Sequence, residues 1–219
     1  MLRRAVDWGR VVVAPLFFLA FLLNVLVLID SVGVSMRGDQ SILVPALEAT
    51  TSLLSCGFFV LLLWAYLSRL RASATARDWR AHAAAALATP LPFVIPFLGS
   101  RDDDAGWLLL ASVLLVAGLA WSVWSIRHLR QSFSILAQAR EVVSSGPYRF
   151  VRHPLYAGEV VAALGLVVHY PSWASLGAWV LLCLLQAFRA TKEEEVLAAA
   201  LPEYVAYRGY TSRLVPGLY

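Results

Sequence analysis

Charged side chains are scarce in this chain, and their scarcity is the first indication of its class. Only 15% of the 219 residues are Asp, Glu, Lys or Arg, whereas 60% are hydrophobic and the mean hydropathy is +0.70. Soluble domains carry about 25% charged residues, and the apolar residues here form long runs rather than amphipathic stripes. The composition therefore excludes an ordinary soluble domain and predicts an integral membrane protein.

Several ligand-binding patterns are also missing. Cys56 and Cys183 lie singly in apolar runs, and the four histidines are scattered without the spacing of metal ligands on a helix. We therefore expect neither a disulfide framework nor a metal site. The chain has no Gly-x-Gly-x-x-Gly and no P-loop sequence, so no soluble Rossmann-type nucleotide site is expected. The net charge of +4 needs no nucleic-acid partner, because the basic residues stand at the ends of apolar runs, where membrane topology explains them.

The apolar runs predict an all-α fold, a polytopic transmembrane helical bundle with about six membrane helices. A helix needs about 20 apolar residues to cross a bilayer. The four runs before the last are Val11–Ile29, Ile42–Leu67, Ala81–Leu98 and Trp107–Ile126. The last run, Leu155–Phe188, is too long for one crossing and is broken at His169–Ser172, which predicts a helical hairpin followed by a helical tail. We divide the chain into a four-span region, 1–126, and a catalytic region, 127–219.

The distribution of arginine and lysine predicts the orientation. With six crossings, sixteen of the eighteen basic residues fall on one side of the membrane, against Arg37 and Arg101 on the other. This positive-inside bias places both termini, the segment 127–154 and the tail on the cytoplasmic side. The compact size and the preference for arginine over lysine favour the inner membrane of a bacterium.

One short polar segment stands between the long apolar runs. The stretch Ser144–Gly158 contains two arginines, a histidine, two tyrosines, two prolines and two glycines. Gly146-Pro147 and His153-Pro154 are turn dipeptides, and a proline disfavours helix in the residue before it. We therefore predict a shaped loop at the mouth of the bundle that forms part of a site, on the same side as the charged tail.

This loop and the tail resemble a known family. The sequence Gly146-Pro147-Tyr-Arg-Phe-Val-Arg-His-Pro-Leu-Tyr-Ala-Gly158 resembles the signature loop of the isoprenylcysteine carboxyl methyltransferase superfamily of integral membrane methyltransferases. Similar tail motifs follow in the same order: the glutamates after Arg189, Glu203-Tyr-x-x-Tyr207 and Arg213-Leu-Val-Pro-Gly217. The resemblance covers roughly Arg130 to Gly217, and it is specific because several independent motifs recur together.

The resemblance implies a pocket for S-adenosyl-L-methionine, enclosed by the loop and the tail at the cytoplasmic end of the last two spans. The residues implied as cofactor-binding are Tyr148, Arg149, His153, Pro154, Tyr156, Glu193, Tyr204 and Tyr207, and those implied as catalytic are Arg152 and Glu194. Because three glutamates stand in a row, the family pair is either Glu193 with Glu194 or Glu194 with Glu195. These residue types suit the ligand: aromatic faces attract a sulfonium, carboxylates accept from amino and ribose groups, and an arginine binds a carboxylate.

The acceptor implied by the resemblance is a lipophilic or prenylated molecule that enters from the bilayer, and its reacting group remains open as a carboxylate, a thiol or an amine. Phospholipid and thiol methyltransferases of the same superfamily are alternatives. A sterol-type reductase that uses NADPH is another, although the tail offers few basic residues for a 2′-phosphate. A transporter or scaffold would explain six spans, but not the concentration of polar residues on one face.

Some polar and small residues within or beside the spans have no assigned role. Glu159 is costly facing lipid, so we expect it to turn towards the pocket or to pair with an arginine of the loop, and Glu48 follows the same logic. Ser132–Ser134 is either a wall of the pocket or an interfacial turn. Small residues, including Gly158 and Gly165, are expected to pack either within the hairpin or between subunits, which leaves the oligomeric state open.

Overall fold

The computed structural model describes residues 8–37, 43–68, 74–75, 78–100, 104–129, 138–139 and 142–217. Long helices dominate these ranges, as expected for runs of apolar residues that must satisfy their backbone hydrogen bonds internally. They are α1 (Trp8–Arg37), α2 (Leu43–Ser68), α3 (Trp79–Ala88), α4 (Leu91–Val94), α5 (Ala105–Leu129), α6 (Pro154–His169), α7 (Trp173–Ala200) and α8 (Pro202–Tyr210). Short 3₁₀ helices cover Ile95–Phe97 and Gly146–Arg149.

Among the described residues, three helices are long and apolar enough to cross a membrane. The segments are Pro45–Ala65, Gly106–Leu129 and Trp173–Ala200, and the shorter apolar segments Ala14–Asp30 and Pro154–His169 accompany them. The chain is therefore a multi-pass integral membrane protein with an all-helical bundle. The predicted count of six crossings is not confirmed. The predicted hairpin is confirmed: α6 ends at His169, and α7 begins at Trp173 with Ser172 as its N-cap.

The third predicted span is not one continuous helix. Pro90, Pro92 and Pro96 divide it into α3, α4 and a 3₁₀ turn, because each proline lacks the N–H that would continue the hydrogen-bond ladder. The segment nevertheless follows α7 along most of its length. Lys192 lies 3.5 Å from the Asp78 carboxylate at one end, and the Ser172 hydroxyl donates to the Leu98 carbonyl at 2.8 Å at the other. We call these the proximal and distal ends of the bundle.

The small residues of α6 pack against α5. A Cβ added to Gly118 would lie 2.4 Å from the Ala162 backbone nitrogen, and one added to Gly165 would lie 2.8 Å from the Ala111 carbonyl oxygen. A Cβ on Gly158 would lie 2.3 Å from the Ser122 hydroxyl. Within the chain, these residues therefore pack against the preceding helix α5 rather than against the other helix of the hairpin, and packing between subunits stays a prediction.

Two polar links meet outside the helices. Residues Ala74–Thr75 form strand β1, which pairs antiparallel with strand β2, Gln138–Ala139. This pairing brings the links that precede α3 and follow α5 to the same end of the bundle, as the basic-residue distribution predicts. The short strand pair is an addition to the predicted all-helical fold.

Two apolar clusters flank the bundle interior. The first joins Phe17, Phe58, Phe59 and Leu62 of α1 and α2 to Ile126 and Leu155 near the proximal ends of α5 and α6. The second joins Ala88 and Ile95 to Ala163, Val167 and Leu182 of α6 and α7. Helix α6 contributes to both clusters, and its polar residues Tyr156 and Glu159 lie along the helix between Leu155 of the first cluster and Ala163 of the second.

Candidate active site

The loop before α6 is held in place by the carboxy-terminal segment. Gly146 has φ of +60°, and a Cβ there would lie 2.4 Å from the His128 ring, so both conformation and space favour glycine. Beyond the 3₁₀ turn, Val151 forms a bridge with Ser212. The Arg152 backbone N–H donates to the Ser212 carbonyl at 2.8 Å. The loop and the tail are therefore one substructure, as the resemblance implied.

Glu194 is the centre of that substructure. Its side chain is 1% exposed, and it projects from α7 into a ring of donors from the loop and the tail. Arg213 binds it through both Nε, at 3.0 Å, and Nη2, at 2.9 Å, while Arg152 Nε donates at 2.9 Å. His153 Nε2 lies 3.2 Å from the same carboxylate. One buried carboxylate thus joins three separate stretches of the chain.

Both the Nε and the Nη1 atoms of Arg152 donate hydrogen bonds. Besides Glu194, its Nη1 donates to the carbonyl oxygens of Arg208 and Thr211 at the end of α8. These bonds fix the guanidinium between α7 and α8. They support a positioning role for Arg152 and Glu194, and the implied contact with the reacting group stays a prediction.

Glu193 lies beside this cluster and is more accessible. Its Oε2 accepts from the Tyr156 hydroxyl at 3.0 Å and lies 3.6 Å from His153 Nδ1, and the side chain is 27% exposed. The rings of His153 and Tyr156 stack at 5.4 Å with an interplanar angle of 3°. Glu193 is therefore an anchored carboxylate with a face still open to a ligand.

These contacts separate the two glutamates that face the site from the third, which does not. Glu193 and Glu194 both turn into the site, whereas Glu195 is exposed and binds Lys192 Nζ at 2.9 Å. Of the two alternatives, the structure brings Glu193 and Glu194 together with the loop.

The tyrosines of α8 close the site from the tail. Tyr207 donates its hydroxyl to the Tyr148 carbonyl oxygen. The Tyr204 hydroxyl and the Thr211 hydroxyl are buried and have no hydrogen-bond partner among the described residues. Burial raises the pKa of the Tyr148, Tyr204 and Tyr207 phenols, and the charge of Glu194 raises the pKa of Tyr204 further, so all three remain protonated donors.

The two remaining predicted residues, Pro154 and Arg149, differ in exposure. Pro154 is buried at the first turn of α6, where a missing N–H is tolerated. Arg149 is exposed, and its guanidinium lies 4.5 Å from the Phe150 ring centroid. The structure thus brings Tyr148, His153, Tyr156, Glu193, Tyr204 and Tyr207 around Glu194 and Arg152, but it directs Arg149 towards a surface aromatic ring.

A cavity of about 780 Å³ adjoins the site inside the bundle. Tyr156 and His169 both line it, which gives it a length of roughly 20 Å along α6 at 1.5 Å per residue. Its volume lies within the range of roughly 300–1,000 Å³ typical of small-molecule sites. At the proximal end its wall includes Tyr156, Glu159 and Arg189.

Two buried polar side chains, Gln186 and Arg189, and the half-buried Glu159 form a hydrogen-bonded chain at this end of the cavity. Gln186 donates from Nε2 to Glu159 and accepts at Oε1 from Arg189 Nη1 at 2.9 Å. The Arg189 guanidinium lies 4.8 Å from the centroid of the Tyr156 ring. Glu159 therefore faces this cavity rather than lipid, and its hydrogen-bond partner among the described residues is Gln186 rather than an arginine of the loop.

Sequence reasoning assigned no role to Gln186 or Arg189. A buried glutamine in an apolar run is a weak signal, but it stands three residues before Arg189 and thus on the same helix face. The link between Arg213 and Glu194 has no local signal, because the tail must fold back before the two meet. Glu48 and Ser132–Ser134 carried predictions too, and their side chains lie outside the described part of the chain.

Comparison with known proteins shows a similarity in the segment around this site. Residues 107–203, less than half of the chain, match the sequence model of the phospholipid methyltransferase family. The matched model describes a family of the membrane methyltransferase superfamily, which the loop and tail motifs also resemble, and the isoprenylcysteine carboxyl methyltransferase family specifically is not shown. A search of curated proteins found no significant match. The matched segment contains α6 and α7 with Glu193 and Glu194, and it ends before Tyr204.

Proposed function

We propose that this S-adenosylmethionine-dependent membrane methyltransferase binds its cofactor between the loop, Glu193 and α8, and transfers the methyl group to a lipid whose head group lies at the proximal end of the cavity. The position of Tyr156 carries the proposal. Its hydroxyl binds Glu193 and its ring lines the cavity, so one side chain separates the two sites. The family match establishes the enzyme class and the cofactor and supports a lipid-type acceptor.

The residues around Glu193 fit the cofactor. The half-open carboxylate of Glu193 suits an amino group or ribose hydroxyls, and the buried Tyr204 and Thr211 hydroxyls lack partners among the described residues. Buried polar groups without partners are costly, which favours a ligand there. The stacked rings of His153 and Tyr156 offer an aromatic wall to a sulfonium. The cofactor supplies an electrophilic methyl group on sulfur.

The protein's part in the reaction is alignment and exclusion of water. Methyl transfer is an in-line displacement, so holding the nucleophile near the methyl group removes much of the barrier. Glu194, by binding Arg152 and Arg213, holds the loop over the site, while Tyr156 and Arg189 fix the acceptor side. The low exposure of these groups strengthens their electrostatic contacts.

The acceptor that fits the proximal end best is an aminophospholipid. Glu159 and Arg189 bring opposite charges to the same cavity wall, and they match an ammonium group and a phosphate group. An amine must lose its proton before it attacks, and the Glu159 carboxylate is a base of suitable position. A prenylated carboxylate, as in the isoprenylcysteine carboxyl methyltransferases, is the second candidate. Arg189 over Tyr156 favours it, because a carboxylate needs a cation to orient it but no base.

We further propose six crossings with both termini and the site in the cytoplasm. The segment from Asp78 to Leu98 contacts α7 near both of its ends, which supports a third crossing although no single helix completes it. Phe97 and Trp173 are 87% and 89% exposed at the distal end, where aromatic side chains suit a membrane interface.

The test of function is transfer of a radiolabelled methyl group from S-adenosylmethionine to defined acceptors by the purified protein in nanodiscs. We expect label in phosphatidylethanolamine vesicles and no NADPH oxidation with sterol substrates. Label in a farnesylated cysteine carboxylate instead would select the second candidate. Absence of label in all acceptors, with no binding of S-adenosylhomocysteine by folded protein, would contradict the proposed function.

A further inference from the structure

One amide side chain connects the two charged groups at the proximal end of the cavity. Gln186 is 1% exposed, its Nε2 donates to Glu159 Oε2, and its Oε1 accepts from Arg189 Nη1 at 2.9 Å. Glu159 and Arg189 line the cavity, whereas Gln186 does not. The amide therefore contacts both charged groups from within the wall and is not itself placed to touch a ligand.

The orientation of this amide is set by the charges on either side of it. An amide side chain donates at one end and accepts at the other. In the reversed orientation, the carbonyl oxygen would face the Glu159 carboxylate and the amino group would face the Arg189 guanidinium, so neither hydrogen bond could form. A carboxylate at position 186 would repel Glu159, and an ammonium group there would repel Arg189. A neutral amide of this length satisfies both neighbours at once.

The bridging amide also keeps part of the Glu159 carboxylate available. Opposite charges attract strongly in a buried site of low dielectric, and a direct pair between Glu159 and Arg189 would use atoms that a ligand needs. Gln186 occupies Oε2 of Glu159, whereas Oε1 has no hydrogen-bond partner among the described residues. One carboxylate oxygen thus remains for a cationic group in the cavity.

Joining the two helices of the hairpin does not require this amide. Trp179 Nε1 of α7 donates to the Val160 carbonyl oxygen of α6 at 3.0 Å, and Leu182 packs with Ala163 in an apolar cluster. Burying a polar side chain costs free energy unless its hydrogen bonds are made. An apolar side chain at position 186 would join the helices without that cost, which indicates that the amide serves the charged groups rather than the hairpin.

From these contacts we infer that Gln186 is a positioning residue that holds Glu159 and Arg189 apart and thereby makes the site select a head group with both an ammonium and a phosphate. The inference rests on the proposed function and adds the residue that sets head-group specificity. With the amide in place, Glu159 binds the ammonium and Arg189 binds the phosphate. Without it, Glu159 and Arg189 pair with each other, and a ligand with two charges loses its advantage over a ligand with one.

Binding of single-chain ligands with different head groups tests this role without requiring turnover. Lysophosphatidylethanolamine carries both charges, lysophosphatidic acid carries the phosphate alone, and hexadecylamine carries the ammonium alone. Each is titrated into the full chain in maltoside micelles. Gln186→Met removes both hydrogen bonds at similar side-chain length. Leu182→Met is the matched control, because Leu182 is also 1% exposed and lies one turn earlier on the same helix face. Trp179→Phe, which removes the hydrogen bond of the hairpin, controls for a purely structural role.

We expect the native chain and both controls to bind lysophosphatidylethanolamine at least about tenfold more tightly than either single-charge ligand, as one added hydrogen bond to a charged group would give. Gln186→Met is expected to lower this preference below about threefold. Gln186→Glu adds a negative charge beside Arg189, so we expect it to favour hexadecylamine over lysophosphatidic acid.

Two outcomes would overturn the role of Gln186. One is equal weakening of all three ligands by Gln186→Met, which would indicate a structural role alone. The other is the absence of a preference for lysophosphatidylethanolamine in the native chain. Binding of S-adenosylhomocysteine, measured on the same samples, separates this result from the proposed function. Its absence in the folded native chain would contradict the cofactor site, whereas the head-group preference alone decides the role of Gln186.

Discussion

The loop–tail site and the membrane cavity are built by opposite means. Around Glu194, two arginines and a histidine converge on one carboxylate, and three stretches of chain are fixed by ion pairs. Along the cavity, by contrast, single polar side chains are spaced between apolar ones. Under the proposed function, the small polar cofactor thus has a rigid, charged enclosure, whereas the lipid acceptor has a larger cavity with few fixed polar contacts.

The largest expected effect comes from breaking the ion-pair cluster. Glu194→Gln removes the buried charge that Arg152 and Arg213 both bind, and removing one partner of a buried pair costs about 3–5 kcal/mol. We expect the tail to detach, S-adenosylhomocysteine binding to fall below detection in calorimetry, and limited proteolysis to cut near Thr211. Glu195→Gln is the control, because Glu195 is exposed and binds only Lys192 among the described residues. Retained tight binding by Glu194→Gln would show that the cluster does not support the cofactor site.

The second prediction tests the acceptor side separately. Arg189→Met removes the cation at the proximal end of the cavity but keeps much of the side-chain volume. We expect methyl transfer to fall about 100-fold, a loss of about 2.7 kcal/mol typical of a group that orients charge in a transition state, with S-adenosylhomocysteine affinity nearly unchanged. Lys192→Met, which alters a more accessible cation one turn away, 23% exposed, is the matched control. If Arg189→Met lost S-adenosylhomocysteine affinity as strongly as methyl transfer, the cofactor site and the acceptor site would not be separate.

The contact between the two regions gives a third, smaller effect. Tyr156→Phe removes the hydrogen bond to Glu193 and keeps the ring that faces Arg189. A hydrogen bond to a charged group contributes about 1.5–3 kcal/mol, so we expect about a tenfold or greater loss of cofactor affinity with the acceptor KM nearly constant. If Tyr156→Phe instead raised the KM for the acceptor and left the cofactor affinity unchanged, Tyr156 would act on the acceptor alone.

The smallest effect is expected from the packing that supports both regions. Gly165→Ala introduces a methyl group 2.8 Å from the Ala111 carbonyl, and overpacking costs about 1–3 kcal/mol. We expect a lower midpoint of thermal unfolding with the ratio of cofactor to acceptor affinity unchanged. Gly177→Ala on α7, where no atom lies within 4 Å of the added Cβ, is the control and is expected not to lower the midpoint, because alanine favours a helix over glycine.

Much of the fold could be predicted from the sequence, because the membrane requires long apolar runs and prolines interrupt helices locally. The bounds of α5 and the break at His169–Ser172 follow from those rules. The α5–α6 packing partner could not be predicted, because a stripe of small residues indicates close approach but does not identify the helix that approaches.

The candidate site was predictable as a set of residues but not as an arrangement. The loop and tail motifs indicated Glu193, Glu194, His153 and Tyr156, and the structure brings them within contact distance. Glu193 and Glu194 have different partners because the tail folds back and brings Arg213 onto Glu194. No local sequence pattern predicts where the tail folds back. Arg189 was missed because it ends an apolar run, where a basic residue is normally explained by topology alone.

The most direct test of the account is calorimetric binding of S-adenosylhomocysteine to the native chain, Glu193→Gln and Glu195→Gln in nanodiscs. Glu193 and Glu195 are neighbouring glutamates of one helix, and only Glu193 contacts Tyr156. The account predicts saturable binding by the native chain and by Glu195→Gln, with at least tenfold weaker binding by Glu193→Gln. Equal binding by all three proteins would contradict the placement of the cofactor beside Glu193.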